Sequence, residues 1–168
     1  MSAMTVAVTR TKAEQALSLQ FEAVAGKLPG DAVVARARKA AIGAFAALGL
    51  PHRRIEEWKY TDLRNALKEA LPPAIADKPA ATAADIDRAL EGLAEIDAHR
   101  IVFVDGQHRP ELSSAKAEKG LEIGSLGAAL ARSDGLSGPG APGQEAVVAL
   151  NTAFMTDGAV LRIADSVE

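Results

Sequence analysis

The chain contains no cysteine, which excludes disulfides, thiolate nucleophiles and cysteine-ligated metal or iron–sulfur sites within its 168 residues. Aromatics make up 4% of it, with one Trp, one Tyr and four Phe, so a core has to be assembled from Ala, Leu, Val and Ile. Basic residues do not outnumber acidic ones. The net charge of −3 argues against a nucleic-acid-binding domain, whose footprint is a basic patch. No stretch approaches the run of about 18 apolar residues that a membrane-spanning helix needs. Arg10, Lys12, Glu14 and Glu22 interrupt any signal-peptide core in the first thirty residues, so the cytoplasm is the expected compartment. The three histidines, His52, His99 and His108, have no helical i, i+4 spacing and no thiol to help them, which leaves no zinc site. The glycine-rich Ser137-Gly138-Pro139-Gly140 lacks the Gly-Lys-Ser/Thr ending of a phosphate loop, and there is no nucleophile elbow. Internal repeats are absent as well.

What is present is mostly helix periodicity. Residues 1–10 read as a flexible tail. Thr11 with Glu14 has the capping-box spacing, and Leu17, Phe21, Val24 and Leu28 then share one helical face up to Pro29-Gly30. Asp31 opens a second helix with an apolar stripe of Val33, Val34, Ala37, Ala41, Ala44, Phe45 and Leu48. Arg36-Ala37-Arg38-Lys39 reads as its wet face, and Gly49 stands where a terminating glycine belongs. The two helices should form an antiparallel pair. A short helix from about Asp62 to Leu71, capped by Thr61, a linker from Ala74 to Ala81, and a second capping box at Thr82/Asp85 complete a helical domain over 11–95. The pattern then changes. Residues 96–157 read as a small α+β part, with a strand over 100–104, a hairpin turn at Asp105-Gly106, a strand near Leu121, short helices from Ser125 and Glu145, and a flexible loop over 133–143. Residues 159–164 alternate as a strand. The fold class is therefore α+β.

The densest chemistry lies between Leu48 and Leu63. Seven of the eight residues from Arg53 to Tyr60 are charged or aromatic, and they include the only Trp and the only Tyr of the chain. Two readings are open. In one, Trp58 and Tyr60 are core plugs, while Arg53, Arg54, Glu56, Glu57, Lys59 and Asp62 form a self-neutralising rim, with the arginines three and four residues from the glutamates. In the other, Arg53, Arg54, Trp58 and Tyr60 form a docking surface, because Trp, Tyr and Arg are enriched in binding hot spots. Glu56 and Glu57 are poor candidates for acid–base catalysis, since Arg53, Arg54 and Lys59 favour their ionised forms.

The run Leu48-Gly49-Leu50-Pro51, Arg53-Arg54, Glu56-Glu57-Trp58-Lys59-Tyr60 and Thr61-Asp62-Leu63 resembles the amino-terminal motif of the SufB/SufD family, part of the Suf iron–sulfur cluster assembly machinery. Ile101-Val102-Phe103-Val104-Asp105-Gly106 and Leu150-Asn151-Thr152-Ala153-Phe154, with Asp157-Gly158-Ala159, resemble later parts of the same region in the same order. The Trp-Lys-Tyr motif favours the SufD branch. The resemblance implies a helical amino-terminal region leading into a long right-handed parallel β-helix, with residues 158–168 as the start of that β-helix, here truncated. It implies a non-enzymatic scaffold subunit with SufB-like and SufC-like partners, whose contacts lie mostly beyond this chain. No cluster ligand carries over, and no cofactor is expected within these residues. The reduced flavin associated with Suf complexes finds no motif here. Other functions to weigh are a stand-alone partner-binding module using the Arg/Trp/Tyr motif, and an enzyme domain gripping an anionic small molecule with Arg53 and Arg54.

Overall fold

The computed structural model describes residues 9–73, 81–93, 96–114, 118–132 and 145–165. It is α+β, with six α-helices and two small antiparallel sheets among those residues. The loop expected over 133–143 lies outside the described residues, as do residues 74–80 of the linker expected over 74–81 and the tail up to residue 8. The chain divides into two units. One comprises the described residues of Met1–Leu28, Ala32–Pro73 and Ser137–Phe154; the other comprises those of Pro29–Asp31, Ala74–Leu136 and Met155–Glu168.

The first unit is helical. Helix α1 (Lys12–Val24) starts in a complete capping box: the Thr11 hydroxyl accepts the Glu14 N–H, and the Glu14 carboxylate accepts the Thr11 N–H. A 3₁₀ turn at Ala25–Lys27 ends it before Pro29. Helix α2 (Ala32–Leu48) begins directly after Asp31 and packs chiefly on α6 (Ala146–Phe154), which the sequence pattern had grouped with residues 96–157. Phe45, Ala13, Leu50 and Ala149 form one buried cluster; Phe21, Ala41 and Ala153 form a second. Phe21 and Phe154 meet edge to face, with ring centroids 5.8 Å apart. The alanines at 13, 41, 149 and 153 are wholly buried, so close helix approach supplies what large side chains do not.

The inner face of α2 runs through Val34, Arg38, Ala41 and Phe45, not through Val33 and Leu48, which are about half exposed. The helical period of 3.6 therefore turns Arg38 inward, and the expectation that 36–39 is a wet face fails at that residue. Arg38 is 2% exposed and donates to the Ala153 carbonyl in the last turn of α6, at 3.4 Å. Burial pushes its pKa down. A cation beside the carbonyl end of a helix is favourably placed.

In the second unit, α4 (Ala83–Ala89) carries the expected Thr82/Asp85 capping box. Strands β1 (Phe103–Val104) and β2 (Gln107–His108) form the expected hairpin, with Asp105 and Gly106 both at positive φ (50° and 77°). Strands β3 (Leu121–Ser125) and β4 (Ala159–Ile163) pair antiparallel, Ile123 opposite Leu161, and α5 (Leu126–Arg132) follows β3. The strand expected over 159–164 is thus present, and its partner β3 runs antiparallel to it.

Asp157 ties this unit together. Its Oδ1 accepts the Ser125 hydroxyl and the Gly127 N–H, both at 2.7 Å, and the Gly158 N–H at 2.8 Å. Its Oδ2 accepts the His108 N–H at 2.8 Å. Burial alone would raise its pKa, but four donors hold it below its ordinary value of 3.8. Hairpin, α5 and β4 are anchored on one side chain.

Candidate interaction site

The motif between Leu48 and Leu63 is positioned from α1. Glu14 serves as more than the third residue of a capping box. It is 2% exposed, and while its Oε2 accepts Thr11 N–H at 2.6 Å, its Oε1 accepts Leu50 N–H at 2.7 Å and the Arg64 guanidinium Nε at 3.0 Å. Burial would raise its pKa; two backbone donors and the Arg64 charge together hold it below 4.5. Gly49 makes this geometry possible. Its φ is +74°, and a Cβ there would stand 2.6 Å from Glu14 Oε1. Arg10 donates to the carbonyls of Leu48 and Ala47, the unsatisfied end of α2. Arg10 is therefore anchored, although the sequence pattern places it in the tail. The start of α1 beside the end of α2 is the antiparallel arrangement expected of the pair.

From this knot the chain turns outward. Pro51 is buried, and its carbonyl accepts Leu63 N–H at 3.0 Å, closing a loop of the intervening residues. Within it, Ile55 N–H bonds His52 C=O, and a 3₁₀ turn spans Glu56–Trp58. Helix α3 is short (Leu63–Ala66) and its cap is Asp62, not Thr61: Asp62 Oδ1 accepts Asn65 N–H at 3.1 Å. Asp62 Oδ2 accepts Asn65 Nδ2 at 2.9 Å and Arg53 Nε at 3.4 Å. These donors, set against burial, hold the Asp62 pKa below 3.8.

The charge pairing expected within the motif is redistributed. Arg53 pairs with Asp62, and Lys59 with Glu56 at 2.8 Å. A 3₁₀ turn eclipses residues three apart, which brings Lys59 over Glu56 and leaves the arginines elsewhere. Arg54 and Glu57 are exposed and have no ion pair among the described residues. The two rings also part company. Trp58 is half-buried, but Tyr60 is 92% exposed with Lys59 Nζ 5.3 Å above its ring, so Tyr60 is not a core plug. Residue 60 lies beyond the 3₁₀ turn that ends at Trp58. His52, Arg53, Arg54, Asp62, Arg64 and Asn65 line an open recess of about 340 Å³.

Sequence reasoning missed Glu14 and Arg64, fifty residues apart, and Asp157. The capping-box spacing marked Glu14 for one role only. Among the described residues no group of three or more His, Asp or Glu side chains is placed to hold a metal ion, and no helix is long and apolar enough to cross a membrane.

With this geometry in hand, comparison with known proteins is direct. A family model described as the SufBD protein N-terminal region matches residues 27–168, which takes in α2, the whole Leu48–Leu63 motif and every later element. The chain belongs to the SufBD family. It is also 31% identical over 174 aligned residues to the iron–sulfur cluster assembly SufBD family protein slr0076 of Synechocystis sp. (strain ATCC 27184 / PCC 6803 / Kazusa). That alignment covers 99% of this chain and 37% of the relative, so the chain spans little more than a third of the relative's length. The SufBD family model begins after Glu14; the alignment with the relative reaches back over α1.

Proposed function

We infer that this SufBD region is the amino-terminal part of a non-enzymatic scaffold subunit for iron–sulfur cluster assembly, of the SufD type, working in the cytoplasm through contacts with SufB-like and SufC-like proteins. The observation that carries the reading is the division of labour inside the motif. Glu14, Leu50, Pro51 and Asp62 serve the fold and Arg64 gives its Nε to Glu14, while Tyr60 stands almost fully in solvent with Lys59 above its ring. A tyrosine so placed contributes nothing to a core and much to an interface, because it offers large contact area at low entropic cost.

The same reading takes β4 as the threshold of a parallel β-helix. Ala164 N–H donates to Gly120 C=O and Leu126 N–H to Gly158 C=O, so the even-numbered residues of β4 turn their backbones to β3. Ala159, Leu161 and Ile163 therefore turn theirs to the other edge, which no strand covers among the described residues. An uncovered apolar edge is an aggregation hazard unless further chain pairs with it, and a β-helix rung would do so.

The test is co-purification of the full-length protein with its partner subunits, comparing wild type with Tyr60→Ala. The expected result is a loss of partner retention with the melting temperature kept within about 2 °C. Full retention by the variant would overturn the assignment of this face to partner contact.

A further inference from the structure

The recess lined by His52, Arg53, Arg54 and Arg64 has a donor inventory that the scaffold reading does not use. Three guanidiniums line it. Arg53 spends its Nε on Asp62, and Arg64 spends its Nε on Glu14. The terminal nitrogens of both, and the whole Arg54 guanidinium, have no partner among the described residues. His52 Nδ1 accepts the Arg54 backbone N–H at 3.2 Å, which places the proton of the neutral ring on Nε2, a fourth donor. The acceptors nearby are already used. Both Asp62 oxygens accept bonds from Asn65 or Arg53, and both Glu14 oxygens accept from Thr11, Leu50 or Arg64. Asn65 Oδ1 accepts from Lys68. The two carboxylates are ionised, and three guanidiniums set against them leave one unit of positive charge.

We propose that the His52–Arg53–Arg54–Arg64 recess is a binding site for the phosphate group of a small molecule. A carboxylate presents two oxygens in one plane and is satisfied by a single guanidinium fork. A tetrahedral phosphate presents three or more oxygens in different directions, which suits donors arriving from three separate arginines and an imidazole. The arginines are held apart by the fold: Arg53 is pinned to the cap of α3, and Arg64 within α3 is pinned to α1. They therefore cannot collapse onto one another when no anion is bound. The volume of about 340 Å³ exceeds what a phosphate needs and leaves room for the organic part of an ester. The proposal goes beyond the scaffold reading and does not depend on any partner protein.

The test uses the 168-residue chain, isotope-labelled, with inorganic phosphate titrated at constant ionic strength against chloride. Glycerol phosphate and a glutamate-rich peptide are titrated in parallel. Saturable shifts are expected at His52, Arg53, Arg54 and Arg64 with either phosphate and not with chloride, and Arg54→Gln should weaken the affinity about tenfold. Arg54 makes no ion pair, so this variant keeps the fold, and an unchanged amide spectrum elsewhere checks that. Tighter binding of glycerol phosphate than of inorganic phosphate identifies an ester as the ligand; the reverse order identifies free phosphate. Shifts that track ionic strength alone, an Arg54→Gln variant that binds phosphate as wild type does, or a peptide that saturates the same residues more tightly than either phosphate would each overturn the proposal.

Discussion

Glu14 in the helical unit and Asp157 in the α+β unit solve the same problem with different chemistry. Each is a carboxylate drawn inward and surrounded by donors from segments far apart in sequence, and each has its pKa held down. Glu14 has a cation: Arg64 stands 3.0 Å away and is itself mostly sheltered, at 23% exposed. Asp157 is held by three backbone N–H groups and one hydroxyl, with no cation among its causes of ionisation. The lesson is that a half-buried carboxylate can be held ionised by N–H and O–H donors alone when backbone turns converge on it. Adding a charged partner raises what is lost when the carboxylate is removed, because the partner is then left uncompensated.

The largest effect that would break this contrast is therefore expected at Glu14. Glu14→Gln keeps the shape but leaves Arg64 unpaired and sets an amide donor against a backbone donor. Chemical denaturation should show a loss of about 3 kcal/mol, at the low end for a broken buried pair because Arg64 reaches solvent. Asp157→Asn should cost less, about 1–2 kcal/mol. The retained oxygen can keep the Ser125, Gly127 and Gly158 bonds, and only the His108 N–H is left facing a donor. Equal losses would mean that the Arg64 charge is immaterial. The smallest effect is in the acid limb of stability. Both carboxylates have depressed folded pKa values, so their stabilisation is present above the ordinary values of 4.5 and 3.8 and is lost as pH falls through the folded values. Unfolding free energy measured downward from pH 5 should fall in wild type, and fall less steeply in Glu14→Gln, which no longer takes up that proton.

Much of this architecture can be read from residues alone, and the boundary of what can is physical. Capping boxes at Thr11 and Thr82, the Asp105-Gly106 turn and the strand from Ala159 are local patterns, governed by neighbours within four residues, and all of them form. The inward turn of Arg38 was not legible, because it depends on α6 arriving more than a hundred residues later with a carbonyl to offer. The motif itself was legible as a unit but not in its orientation. Trp58 and Tyr60 are aromatics two residues apart, and nothing in their identities tells which one the loop closed at Pro51–Leu63 will leave outside. The resemblance to the SufB/SufD family is carried by that motif together with the stretches at 101–106 and 150–159, and the family match over residues 27–168 supports it. The long-range partners of Glu14 stayed hidden because a single acid in a first helical turn already has a sufficient local role.

The claim at the centre of this account is that one sheltered ion pair, Glu14–Arg64, fixes the base of the motif and leaves Arg54 and Tyr60 exposed. A double-mutant cycle on Glu14→Gln and Arg64→Gln, read by chemical denaturation, addresses it most directly. The account predicts a coupling of about 1.5 kcal/mol or more between the two positions. Additive losses, with no coupling, would contradict it.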